Sequence, residues 1–400
     1  MGLLAGVAGA ATTLLLHAVE HLTYRYDFGT LLTGVGNSSP VRRAVGPMVG
    51  GALAGFGWWM LRRPGDVPGL TATIAEHRPI QRLRMSIDAG LQVLLVGSGA
   101  SLGREGAPRQ LAAALGDLAT SRLSLSARDR EILLACAAGA GLGAVYSVPL
   151  GGAFFAARIL LRTWHPRAVG TALITSSLAV AVASPVTHLE HALTWPDAHV
   201  SYLFVILAIA IAPLAAAVGL VFDKVMSVAR PKPQIRSWRL VPAIAFAGLA
   251  TGICSIWWPE LPGNGRSILT VSVSAGMTLG GAAVILVLKP LLTALFLRTG
   301  AVGGMITPAM ATGAAAGSLA ALAINHVAGA HIQVSAVSLT CAAGVLAITQ
   351  RAPAFAALFV WELARPPYWL LIVFLVAAFT AHGVRLLRER NRAERPDVVT

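Results

Sequence analysis

The chain has 400 residues, 56% of them hydrophobic and 12% charged, a net charge of +14 and a mean hydropathy of +0.71. Soluble proteins carry about 25% charged residues, so this composition excludes a water-soluble enzyme built round one buried core and points to a polytopic membrane protein. The basic residues fall in short clusters between apolar runs, which argues against nucleic acid as a partner and assigns them to the surface of a lipid bilayer.

Met1 to Leu16 is apolar, has no basic stretch ahead of it and offers only a poor cleavage site at Ala8–Ala11. It reads as a first membrane helix rather than a removed signal peptide. Just after it, His17-Ala18-Val19-Glu20-His21 spells H-x-x-E-H, a zinc-peptidase string that sets two histidines on one helix face. No distal third ligand stands out, so these are read as polar residues at a helix end.

Further apolar segments run roughly over 45–61, 87–118, 132–161, 168–184, 201–222, 240–258, 268–297, 303–325, 334–363 and 367–387. Few are clean spans of about 20 residues. Glycine and proline interrupt them, as at Gly97, Gly103, Pro149, Pro290, Gly300, Pro308 and Pro353. Broken backbone at membrane depth survives only when buried in protein or lining a wet cavity, so the pattern points to transport through the protein.

Between the segments lie Arg42/Arg43, Arg62/Arg63, Arg78/Arg82/Arg84, Arg122/Arg128/Arg130 and Arg230/Lys232/Arg236/Arg239, with a final run from Arg385 to Arg395. The positive-inside rule places most of these in the cytoplasm, together with the C-terminus. Cys136, Cys254 and Cys341 are far apart and form no C-x-x-C pair, so no zinc site, disulfide framework or cofactor is expected. Lys289, before Pro290, reads as a lysine snorkelling to an interface, with an aqueous vestibule as the alternative.

Gly103-Arg104-Glu105-Gly106-Ala107-Pro108 is the most telling stretch. A carboxylate at membrane depth is costly and marks function by default. The expected helix start beside it offers unpaired amides and a positive dipole end. A glutamate and a dissolved anion would therefore compete for one place. The overlapping Gly99-Ala100-Ser101-Leu102-Gly103 fits G-x-S-x-G but lacks the strand-turn-helix setting of a nucleophile elbow.

An internal echo links Gly139–Arg158 (GAGLGAVYSVPLGGAFFAAR) to Ala343–Glu362 (AGVLAITQRAPAFAALFVWE). Each lies after a glycine-rich break, Gly103 to Pro108 in one half and Gly300 to Pro308 in the other. Matched breaks predict two related halves, 1–229 and 230–400, with a binding site at their interface. The joint is expected in the polar stretch Arg230 to Arg239.

These motifs resemble, in order and spacing, those of the CLC family of chloride channels and chloride/proton exchangers. The segment Gly97 to Pro108 is similar to its signature, Gly303-Gly304-Met305-Ile306-Thr307-Pro308 to its second anion loop, and Ser147 to Gly152 and Arg351-Ala352-Pro353 to its paired helix starts. The resemblance implies an all-α fold of two inverted halves with many short, tilted, broken helices. It further implies a homodimer in the cell membrane whose subunits each move chloride. The anion-binding residues would be Gly65, Arg104, Glu105, Gly106, Met305 and Ile306, through main-chain N–H groups. Glu105 would be the gate and proton carrier, while the Arg104 side chain is read as a turn anchor.

Some positions depart from that pattern. Where the family's exchangers carry an inner proton-transfer glutamate, ungapped counting reaches Arg158 and Ile159; Glu190, between His188 and His191, is read as a loop carboxylate. Gly65 stands for the family's loop serine and Asp66 adds a charge; Ile306 replaces a phenylalanine, and the late pore tyrosine has no counterpart. The residues after the last apolar run are too few for the nucleotide-binding modules of some relatives. The function expected is a chloride channel or chloride/proton exchanger. Fluoride or nitrate transport, and less so a membrane-embedded enzyme, are the alternatives.

Overall fold

The structure is a computed structural model that describes residues 1–187, 193, 195, 203–274 and 276–393, with side chains to Asn391. Glu190, His188, His191 and the Arg392 and Arg395 side chains therefore lie outside the described residues. Among the described residues, seven helices are long and apolar enough to cross a membrane: Gly2–Tyr24, Pro40–Arg62, Pro166–Thr187, Leu203–Ala229, Leu279–Arg298, Ile306–Ala328 and Leu370–Asn391. Four shorter apolar helices, Pro149–Leu160, Leu240–Cys254, Val334–Gln350 and Pro353–Ala364, complete the expected pattern of whole and partial spans.

The first helix shows how such a chain packs. Leu3, Val7 and Leu14 are exposed along one side, while Gly2 and Gly6 press against Leu178 and Val182 of the helix Pro166–Thr187. In lipid no hydrophobic force drives helices together, so small residues face protein and large apolar ones face outward. The same logic crosses Pro40–Arg62 with Leu240–Cys254. A Cβ on Gly51 or Gly55 would lie 2.6 or 2.8 Å from the carbonyls of Ile244 or Leu240. In return, Gly248 and Gly252 receive the carbonyls of Pro47 and Arg43.

The echo read from the sequence is a repeat of backbone devices. The helix Arg82–Gly97 closes with Gly99 N–H donating to Val96 O (2.9 Å) and Ala100 N–H to Leu95 O (3.2 Å). Leu279–Arg298 closes alike, with Gly300 N–H to Leu297 O (3.0 Å) and Ala301 N–H to Phe296 O (3.1 Å). At these closures Gly99 has φ +108° and Gly300 φ +90°, conformations in which a Cβ is disfavoured.

After each closure a loop turns inward and a new helix starts, Gly106–Thr120 in one half and Ile306–Ala328 in the other. Next come the heavily buried helices Ala127–Tyr146 and Val334–Gln350. Both end on a left-handed residue, Ser147 (φ 54°) and Arg351 (φ 53°). Prolines then open new helices at Pro149 and Pro353, at the first-turn positions where the missing N–H costs nothing.

One expected break is absent. Pro290 lies inside the continuous helix Leu279–Arg298, as Pro47, Pro185 and Pro213 lie inside theirs. Proline within a membrane helix is tolerated when neighbouring groups satisfy the freed backbone. At one end of the molecule Asp117 gathers Arg82 (2.7 Å) and Arg130, tying three helix ends together.

Candidate functional site

The two inward loops meet at a single antiparallel bridge. Gly103 N–H donates to Gly304 O at 2.8 Å and Gly304 N–H to Gly103 O at 2.7 Å. Glu105 follows directly and is 0% exposed. Its side chain crosses to the other half, where Oε1 accepts the Thr307 N–H at 2.7 Å and the Thr307 hydroxyl at 2.6 Å. Oε2 lies against Gly103 and Gly304, where a Cβ on either glycine would collide with it. Among the described residues Oε2 accepts no hydrogen bond.

Local chemistry explains this seat. A helix leaves its first amides without intrahelical acceptors. In Ile306–Ala328 the third residue is Pro308, which has no N–H, and Ala309 already donates to Met305 O at 3.1 Å. Ile306 and Thr307 are thus the open amides, at the positive end of a 23-residue helix. A carboxylate is itself an anion, and here it occupies a place built of helix-start donors.

Behind Glu105, its helix is braced by a buried polar cluster. Asp88, 2% exposed, accepts from Trp58 Nε1 (2.7 Å), Gln92 Nε2 (2.8 Å) and Gln110 Nε2 (2.9 Å). Gln92 Oε1 fills the space where a Cβ on Gly106 would stand, so only glycine fits there. Arg109 Nε donates to the Glu105 carbonyl at 2.7 Å, and its guanidinium lies 5.0 Å from the centre of the Phe155 ring.

Arg104 is 4% exposed; it lies over the Tyr146 ring at 5.0 Å, with Nη2 3.5 Å from Val145 O. Its role as a turn anchor takes the form of an aromatic and carbonyl contact. Lys289 does not snorkel. It is 0% exposed and donates to Leu261 O (3.1 Å) and Gly263 O (2.8 Å), because the loop after Trp258 folds over it.

Gly65 lies apart from these contacts, in a half-exposed turn whose carbonyl accepts from Arg84 Nη2 at 2.6 Å. Asp66 beside it faces Arg236 at 2.8 Å on the surface, and that hydrogen-bonded guanidinium holds its carboxyl below the ordinary range. Arg158 stacks on Trp164 at 4.4 Å within a π-helical stretch, Phe155–Leu160. His17, Glu20 and His21 line the wall of a cavity, where Glu20 accepts from the Tyr26 hydroxyl at 3.2 Å. No group of three or more His, Cys, Asp or Glu side chains suited to a metal occurs among the described residues.

Two cavities flank the site. One, of about 520 Å³, reaches Arg104 and is lined also by His17, Glu20, Asn264 and Arg266. The other, of about 800 Å³, reaches Met305 and holds Lys224, Arg230, Lys232, Arg351, Arg385 and Arg388 against Asp223 and Glu389. Glu105 is thus bracketed by Arg104, its own neighbour in the chain, and by Met305 at the opposing helix start.

Sequence reasoning missed Thr307 and Tyr146. Thr307 stood in the second loop motif, but only Met305 and Ile306 were assigned to the site. Tyr146, at the end of its helix, receives the Asn264 Nδ2–H at 3.4 Å under the Arg104 guanidinium. A buried phenol just before the Ser147 break was the available signal.

The family profile described as "Voltage gated chloride channel" matches residues 50–385. The chain belongs to this family. Among curated relatives, "Voltage-gated ClC-type chloride channel ClcB" of Citrobacter koseri is 30% identical over 409 residues, covering 97% of this chain and 95% of the relative. The protein of the same name from an Escherichia coli strain is 28% identical over 402 residues, covering 98% and 95%. Among solved structures, a slow cyanobacterial Cl−/H+ antiporter superposes with a TM-score of 0.77 at 19% identity, covering 98% of this chain and 96% of that one. A CLC-type fluoride/proton antiporter follows with a TM-score of 0.71 at 18% identity, covering 96% and 92%. The CLC fold of two inverted halves therefore holds for this chain, as its motifs implied.

Proposed function

We propose that this CLC protein carries chloride, or another small monovalent anion, across the membrane through the place that Glu105 occupies, with Glu105 as its gate. The observation that carries the reading is the seated carboxylate: one oxygen takes the amide and hydroxyl of Thr307 at 2.7 and 2.6 Å, and the other faces two glycines. Anion and carboxylate cannot share that place. When Glu105 is protonated it loses its claim on anion donors and swings out, and an anion takes its position. Main-chain donors bind firmly enough to attract a halide without trapping it as a full charge would. The amides of Arg104, Gly106, Met305 and Ile306 belong to the same pathway in this reading; Gly65 has the weakest support, because it shares no contact with the seat.

The position where a second proton carrier is expected holds Arg158, stacked on Trp164. A cation there favours a gated channel over a tightly coupled exchanger. The Citrobacter relative's name and family membership support chloride as the cargo; the fluoride antiporter is the second reading for the anion.

In the cell, a homodimer in the membrane with the basic Arg385 end in the cytoplasm fits the clustered arginines of the 800 Å³ cavity. The protein transports rather than catalyses. For the two halves, the packing of Leu203–Ala229 against Leu370–Ala393 parallels that of Gly2–Tyr24 against Pro166–Thr187. That parallel favours a joint before Leu203 over one at 229/230.

Purified protein in liposomes tests the reading, with chloride efflux and proton movement recorded together. Wild type is expected to release chloride, and Glu105→Gln to release it without pH control or proton movement. Unaltered gating in that variant removes Glu105 from the role, and a wild type without anion flux sinks the function.

A further inference from the structure

The donors around Glu105 Oε1 are not all backbone. Thr307 contributes its hydroxyl at 2.6 Å beside its amide at 2.7 Å. That hydroxyl proton points at Glu105. The Tyr146 phenol oxygen, nearby in the buried core, receives the Asn264 Nδ2–H at 3.4 Å, and Asn264 stands on the wall of the 520 Å³ cavity.

The phenol is held in place from several sides. Tyr146 is buried, Arg104 covers its ring at 5.0 Å, and Phe359 meets it edge-on at 5.6 Å. Thr307 is 1% exposed and fixed in the first turn of its helix. In the repeat it stands where Ala107 stands in the other half, following Gly106 as Thr307 follows Ile306, each just before a proline. The hydroxyl is thus specific to one of the two helix starts.

We infer that Thr307 binds the transported anion directly through its hydroxyl, making it a selectivity-determining side chain of the site. The inference rests on the reading that an anion replaces the Glu105 carboxylate. A halide in place of Oε1 meets the same amide and the same hydroxyl. Attraction to a compact O–H dipole weakens as ionic radius grows, so the hydroxyl contributes more to chloride binding than to iodide binding. It supplies a side-chain donor to a pathway that has Gly65 in place of a serine.

The test uses full-length protein carrying Glu105→Ala, which vacates the seat, with chloride and iodide binding followed by calorimetry and flux in liposomes. Thr307→Val in this background is expected to weaken chloride binding roughly tenfold or more, the effect of losing a hydrogen bond to a charge, and iodide binding less. Thr307→Ser keeps the hydroxyl and is expected to retain parental affinity. Parental chloride binding in Thr307→Val, or equal losses in the Ser and Val variants, overturns the inference while leaving the pathway intact. A Glu105→Ala protein that neither binds nor moves an anion overturns both. Should Thr307→Val fail to fold, Thr307→Ala takes its place: parental chloride binding in Thr307→Ala, or lost affinity in Thr307→Ser, rejects the inference.

Discussion

Gly304→Ala should expel the gate without touching it chemically. The three nearest atoms to a Cβ at Gly304 all belong to Glu105: Oε2 in collision, Cδ at 2.6 Å and Cβ at 3.2 Å. Carbon atoms pack comfortably at about 3.5–4.0 Å, so the carboxylate cannot remain. Gly304 is not among the residues of positive φ, and alanine brings no backbone strain there. Leaving the seat forfeits the Thr307 amide and hydroxyl bonds. At roughly 1.5–3 kcal/mol for each hydrogen bond to a charge, the seated state loses about 3–6 kcal/mol. That is a shift of about 10²- to 10⁴-fold in gate occupancy.

In liposomes, wild-type chloride efflux is expected to be held down by the seated carboxylate. Gly304→Ala should conduct faster, as should Gly103→Ala, whose Cβ meets the same carboxylate. The control is a double-mutant cycle. With Glu105→Ala the carboxylate is gone and only the Cβ at 3.2 Å remains, so adding Gly304→Ala should change far less. Wild-type efflux in both glycine variants, or an equal effect of Gly304→Ala with and without Glu105, refutes the seat.

Two other predictions concern stability. Trp58→Phe removes one of three donors to the buried Asp88 carboxylate and is expected to cost roughly 1–3 kcal/mol, seen as a lower thermal unfolding midpoint in detergent; an unchanged midpoint denies the cluster a bracing role. The Arg236 guanidinium lowers the Asp66 carboxyl, so this pair favours the folded state above the ordinary carboxylate range and stops doing so as pH falls through the lowered value. Asp66→Asn should therefore narrow its stability gap to wild type in acid, and because both partners are exposed the gap should also close in high salt; a gap that is constant with pH excludes the pair as its cause.

Much of this was legible because membrane transport leaves marks in composition and punctuation. Glycines and prolines disclosed the inward loops, since main chain that turns at depth needs residues without Cβ or N–H at set points. The echo of Ser147–Pro149 with Arg351–Pro353 pointed to paired helix starts, and helices do start at Pro149 and Pro353; the left-handed ends before them were not foreseen. Glu105 stood out because a lone acid in an apolar setting demands a reason. Lys289 was misread, as nothing in the sequence says that the Leu261 and Gly263 carbonyls fold over it. Pro290 was read as a break for a similar reason: local chemistry forbids what a surrounding bundle permits. Thr307 and Tyr146 were missed because their partners, Glu105 and Asn264, lie more than 100 positions away in the chain and follow no periodicity.

The Glu105 seat is also a contact between the halves. Its carboxylate comes from the first half, and the donors that hold it come from the second. Among the described residues their loops are stitched by two backbone hydrogen bonds, between Gly103 and Gly304. Anything that shifts one half against the other moves the glycine pair and the Thr307 donors together. A small displacement thus changes the room for Oε2 and the bonds to Oε1 at once, and both changes loosen the carboxylate. The strength of the closed state is therefore a property of the interface between halves, not of Glu105 alone. Helix contacts far from the site, such as the glycine crossing of Pro40–Arg62 with Leu240–Cys254, join the same two halves. Bulk added at Gly51 or Gly248 should accordingly alter gating even though neither residue touches the anion path.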